Sequence, residues 1–99
     1  LTQGRLSRQL RSFSFTPSVE VRPDERGNIF YLNIVAGDRP GLLSRVARVL
    51  VDHKINLRNA KINTLGERAE DTFLVTGNSL AETKAVIRLE SELVRTLQA

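Results

Sequence analysis

The chain has no cysteine, no methionine and a single histidine, His53, in 99 residues. Without cysteine neither a disulfide framework nor a thiolate metal site can form, and one histidine cannot assemble a zinc site or a histidine-based catalytic triad. No apolar run approaches the roughly 18 residues of a membrane span, and the opening Leu1-Thr2-Gln3-Gly4-Arg5 lacks the apolar stretch of a signal peptide. A cytoplasmic setting with no membrane partner is therefore expected. Because methionine is missing even at position 1, the chain is also expected to be a piece of a longer protein. At this length one domain with a single modest core is expected, about two-thirds of its surface being buried on folding.

Charge of one sign is not concentrated either. The net charge of +4 comes from 15 basic residues interleaved with 11 acidic ones, which reads as a solvated surface and gives no nucleic-acid partner. The one local cluster is Arg5, Arg8 and Arg11, with Leu6, Leu10 and Phe13 offset from it in a short amphipathic helical pattern. This segment is expected to be a linker helix whose apolar side packs on a neighbouring domain.

From residue 16 the pattern becomes regular. Val19 to Arg22 alternates as a short strand, and residues 23–28 form a turn-rich connection. A second strand follows, with Phe30, Leu32, Ile34 and Ala36 on one face and Tyr31, Asn33 and Val35 on the other. A helix is expected from about Arg39 to His53, burying Leu43, Val46, Ala47 and Leu50 and leaving Arg45, Arg48 and Asp52 to solvent. In residues 55–65 the phase set by Ile55 and Leu57 differs from that of Ala60 and Ile62, which calls for a bulge near Arg58 and Asn59. Ala69 to Thr76 makes a further strand with Phe73 and Val75 inward. Ser79 and Glu82 then read as a capping box for a last helix carrying Ala85, Val86, Leu89, Leu93 and Leu97.

The order β-β-α-β-β-α defines an α+β class. Both helices bury their stripes most simply on one face of a four-stranded antiparallel sheet, a ferredoxin-like sandwich with the first strand on an edge. An RNA-binding version of that sandwich needs stacking aromatics on its central strands, and Tyr31 is the only one on the open face of its strand.

The stretch richest in chemistry is Asp38-Arg39-Pro40-Gly41-Leu42-Leu43, between a strand and a helix. Asp38 is placed to cap the helix, Pro40 suits a first turn, and Gly41 leaves the backbone open to approach. The amides of Gly41, Leu42 and Leu43 would then meet a small anion such as a carboxylate at the positive end of the helix dipole. The same residues also fit an ordinary capped turn.

Strand, Asp38 to Leu43, helix and Ile55-Asn56-Leu57 together resemble the ACT domain, a small regulatory module that binds amino acids. Lys61 to Val75, with Gly66-Glu67-Arg68, Asp71 and Phe73, is similar to the C-terminal ACT repeats of the PII uridylyltransferase/uridylyl-removing family, as is Phe15 to Val21. The resemblance implies a linker over residues 1–17 and an ACT domain over 18–99. It implies a glutamine-sensing module, paired with a neighbouring repeat or a second copy, in a parent that adds and removes UMP on the PII protein. Catalysis and its Mg2+ would belong to the parent's other domains, so no cofactor and no enzymatic activity are expected of this chain. The implied ligand-binding residues are Asp38, Arg39, Pro40, Gly41, Leu42 and Leu43, with Asn56 helping to fix the ligand. Asn56 also fits a plain turn residue after the helix. An ACT module of another metabolic enzyme or of a (p)ppGpp synthetase, and a structural repeat that binds nothing, fit the same residues.

Overall fold

The computed structural model describes residues 16–98, so the linker segment with Arg5, Arg8 and Arg11 lies outside the described residues. Its elements are β1 (Ser18–Pro23), β2 (Phe30–Gly37), α1 (Leu42–Asp52), β3 (Asn56–Lys61), β4 (Thr64–Leu65), β5 (Arg68–Thr76) and α2 (Thr83–Gln98). The strands form one antiparallel sheet in the order β1-β2-β5-β3, with β4 also pairing with β5. This is the expected ferredoxin-like sandwich. The expected strand over 55–65 is broken at Ile62 and Asn63, so β3 and β4 share one edge of the sheet.

Period-two alternation places the core on one face of the central strands. Leu32, Ile34 and Ala36 of β2 are buried together with Ala69, Phe73 and Val75 of β5. Leu32 opposes Phe73 and Ala36 opposes Ala69, giving cross-strand pairs on the helix side. The helices close over them with Val46 and Leu50 from α1 and Leu89, Leu93 and Leu97 from α2. The register of β3 slips between Leu57 and Asn59, where the phase change called for a bulge.

Two local expectations are corrected. The stripe of α1 is Leu42, Val46, Val49 and Leu50, while Leu43 is 44% exposed and Ala47 is also exposed. Apolar residues stand at both 42 and 43 and at both 47 and 49, so periodicity alone is degenerate. The turn entering the helix decides which set faces inward. Ser79 and Glu82 do not form a capping box, because Asn78–Ala81 is a 3-10 turn that carries Leu80 into the core. The last helix begins only after it, at Thr83.

Two connections are held by identifiable bonds. Asp24 organises the β1–β2 turn: its amide donates to Ile29 O (2.8 Å), its carbonyl accepts from the Gly27 amide (2.9 Å), and its Oδ2 accepts from Arg26 Nε (2.7 Å). The Arg26 hydrogen bond, followed by one from Tyr31, brings the Asp24 carboxyl from its ordinary 3.8 down to about 2. At the same end of the sheet α1 stops in a Schellman motif, with the Ile55 amide donating to Leu50 O (2.9 Å) and the Lys54 amide to Val51 O (2.9 Å). That motif wants glycine, yet Lys54 occupies it at φ 58°.

These bonds give two expectations. A carboxyl whose pKa is lowered on folding stabilises fully above its unfolded value and loses that contribution as the pH falls through the folded one. Asp24→Asn should therefore lower the melting temperature at neutral pH, and denaturation midpoints along a pH series should converge with the wild type between 3.8 and about 2. Lys54→Gly should raise stability by about 1 kcal/mol in denaturant titrations, by relieving a left-handed side-chain residue.

Candidate functional site

Beyond Gly37 the chain leaves the sheet beside the start of β5, where the Asp38 amide donates to Glu67 O (2.7 Å). Gly41 then adopts φ 81°, a left-handed conformation open to glycine, and serves as the N-cap of α1. Asp38 is not the cap: Gly41 holds that place with no side-chain cap hydrogen bond, and Pro40 precedes the helix instead of entering its first turn. The left-handed turn at Gly41 starts the helix only at Leu42, four residues after Asp38. No acidic residue lies in the first turn, so its partial positive charge meets no carboxylate within the helix itself.

A hollow of about 190 Å³ opens at this helix end. Asp38, Arg39, Gly41, Leu42, Leu43 and Ser44 line one side, Ile62 and Thr64 the sheet edge, and Ala69 and Asp71 the inner face of β5. Five of the expected site residues thus come together, while Pro40 is not among those lining the hollow. Arg39 has a structural task as well, its Nη2 donating to Leu97 O (2.7 Å) near the C-terminal end of α2, where a cation meets the negative end of the dipole.

Asn56 is not brought to this hollow. It pairs with Thr76 at the far end of β5, whereas Gly37 pairs with Arg68 at the near end. There Asn56 lines a separate hollow of about 450 Å³ with Asn28, Phe30, Lys54 and Thr76. Within one copy of the chain, Asn56 and Asp38 cannot touch the same small ligand.

Asp71 was not among the expected site residues, yet among the described residues it is the polar one that is buried, at 3% exposure. Its Oδ1 accepts a hydrogen bond from the Asn63 amide (3.2 Å), which is free to turn inward because the edge strand is interrupted there. Burial pushes the Asp71 carboxyl up from its ordinary range, the Asn63 hydrogen bond pulls it down, and the nearby Asp38 charge pushes it up again. The signal was present in the sequence: Asp71 shares the inward parity of Phe73 and Val75.

The hollow therefore offers a helix N-terminus, two carboxylates and apolar walls. That set complements a small zwitterion. Among the described residues no group of three or more His, Cys, Asp or Glu is placed to hold a metal. His53 lies at the opposite end of α1, with Nε2 3.3 Å from Glu92 Oε1.

The sandwich and the turn at Gly41 agree with a family match: the ACT domain model matches residues 30–88. The chain belongs to the ACT domain family. Over nearly all of its length it is also similar to one kind of protein, the bifunctional uridylyltransferase/uridylyl-removing enzyme. It is 56% identical over 95 residues to that of Nitrosospira multiformis, 53% over 96 to that of Chromobacterium violaceum and 54% over 97 to that of Cupriavidus metallidurans. These alignments take in 96 to 97% of the chain and 11% of each relative, so the chain spans about a ninth of their length. Among solved structures, an unknown protein from Galdieria sulphuraria superposes with a TM-score of 0.56 at 22% identity, covering 65% of this chain and 37% of that one. A protein described as a glycine cleavage system transcriptional repressor gives 0.53 at 23%, covering 67% and 36%. Both support the fold.

The conformation of Gly41 bears on how the site can be probed. An added Cβ would meet no atom within 4 Å, but φ 81° strains any side-chain residue. Gly41→Ala is accordingly expected to cost about 1 kcal/mol in chemical denaturation, so it disturbs folding as well as any ligand.

Proposed function

We propose that the chain is a cytoplasmic regulatory module that senses glutamine within a bifunctional uridylyltransferase/uridylyl-removing enzyme. The observation that carries this reading is the pairing, around one hollow, of the α1 N-terminus with Asp38 and Asp71. The ligand's α-carboxylate lies against the amides at the start of α1, and its α-ammonium against Asp38. Leu42, Leu43 and Ile62 cover its aliphatic portion. The family match and the kinship with that enzyme supply the parent.

Occupancy of the hollow then biases the parent between adding and removing UMP on the PII protein, through whatever difference in affinity the ligand has for the two states. The reacting groups and their Mg2+ belong to the catalytic domains of that parent.

The position of Asn56 favours a site completed by a neighbouring repeat or a second copy. Leu57 (51% exposed) and Ile62 (48%) leave the β3 edge uncovered, whereas at the β1 edge the Val21 amide donates to Glu90 Oε2 (3.0 Å) of α2. Two β3 edges paired antiparallel and centred near Asn59 bring Asn56 of one copy beside Ile62 of the other, at the wall of the hollow.

Calorimetric titration of the chain with glutamine, against leucine as a control, is expected to give a saturable signal for glutamine alone. Sedimentation over a concentration series is expected to show a dimer. A chain that stays monomeric and gives no heat with glutamine, alone or joined to its neighbouring repeat, would be a structural repeat and not a sensor.

A further inference from the structure

We infer that Asp71 determines which amino acids the hollow accepts, admitting a side chain that ends in a carboxamide and rejecting one that ends in a carboxylate. This rests on the amino-acid-sensing reading above. Asp71 lies between Ala69 and Phe73 on the inward phase of β5, where every other residue is apolar and buried. Packing alone asks for an aliphatic side chain there, and a carboxylate in such a place is costly unless it is compensated.

Its compensation within the fold is thin. One backbone amide, that of Asn63, reaches it, and no ion pair among the described residues includes it. Arg39, the cation that lines the same hollow, is turned to the carbonyl of Leu97. The charge acting on Asp71 is instead that of Asp38, which has the same sign. A buried group whose burial works against folding, on the wall of a hollow, marks a place where sequence serves recognition over packing.

The chemistry of discrimination follows from charge and donors. With the ligand's α-carboxylate at α1 and its ammonium at Asp38, the far end of its side chain extends toward the inner face of β5. A carboxamide presents N–H donors to the Asp71 carboxylate. A carboxylate presents like charge, in a hollow whose own cation is occupied elsewhere. Selection thus combines an attraction for the amide with a repulsion of the acid.

Asp71→Asn tests this because its amide oxygen can still accept the Asn63 N–H while the charge is gone. In titrations with glutamine and glutamate, the wild-type chain is expected to prefer glutamine by about tenfold or more, and the variant to lose most of that preference by gaining glutamate. Its melting temperature is expected to be unchanged or raised, as for other buried charges replaced by neutral isosteres. A variant that still excludes glutamate overturns the role of Asp71 and leaves amino-acid sensing intact. A variant with a lowered melting temperature and no binding of either amino acid makes Asp71 a structural residue, which also overturns it. A wild-type chain that binds neither amino acid removes the underlying reading, and this inference with it.

Discussion

The pairing of β2 with β5 is the constraint on which the rest of the domain depends. Eight consecutive residue pairs join these two central strands, from Phe30 with Val75 to Gly37 with Arg68. Their inward side chains supply the platform for both helices, and each fully buried aliphatic residue there contributes about 1.5–3 kcal/mol relative to exposure. The same register fixes the site. It sets the end of β2 against the start of β5, so that Asp38, the entry to α1 and Asp71 are neighbours however far apart they stand in the chain.

Most of the layer architecture was legible before any coordinates, because the physical cause of each element lay within a few residues. Alternation placed Leu32, Ile34, Phe73 and Val75 on one face, and the same logic in reverse located the β3 irregularity between Leu57 and Asn59. The inward stripe of α1 was not legible, since Leu42 and Leu43 compete for it and only the left-handed Gly41 settles the entry angle. The capping roles given to Asp38 and Ser79 failed for a related reason. Both sit beside a tighter turn that displaces the helix start.

The candidate site divides along the same line. A contiguous segment, Asp38 to Leu43, could be read as a unit, and all of it except Pro40 lines the hollow. Asn56 could not be placed by local reasoning, because its distance from Asp38 is a property of the sheet and not of the turn that precedes it. Arg39 shows the opposite difficulty. A cation beside an open helix N-terminus invites a ligand role, yet tertiary contact with α2 gives it the Leu97 carbonyl.

The short break at Ile62 and Asn63 belongs to two surfaces at once. Its inner side forms part of the wall of the hollow and supplies the amide bonded to Asp71, and its outer side is the open margin of the sheet. To the extent that a solute in the hollow and a chain along the margin each shift these two residues, neither can act without altering the other's affinity, and by the same factor in both directions. Assembly and occupancy are then a single equilibrium described from two ends, and the sensitivity of either is set by how stiffly Ile62 and Asn63 are held.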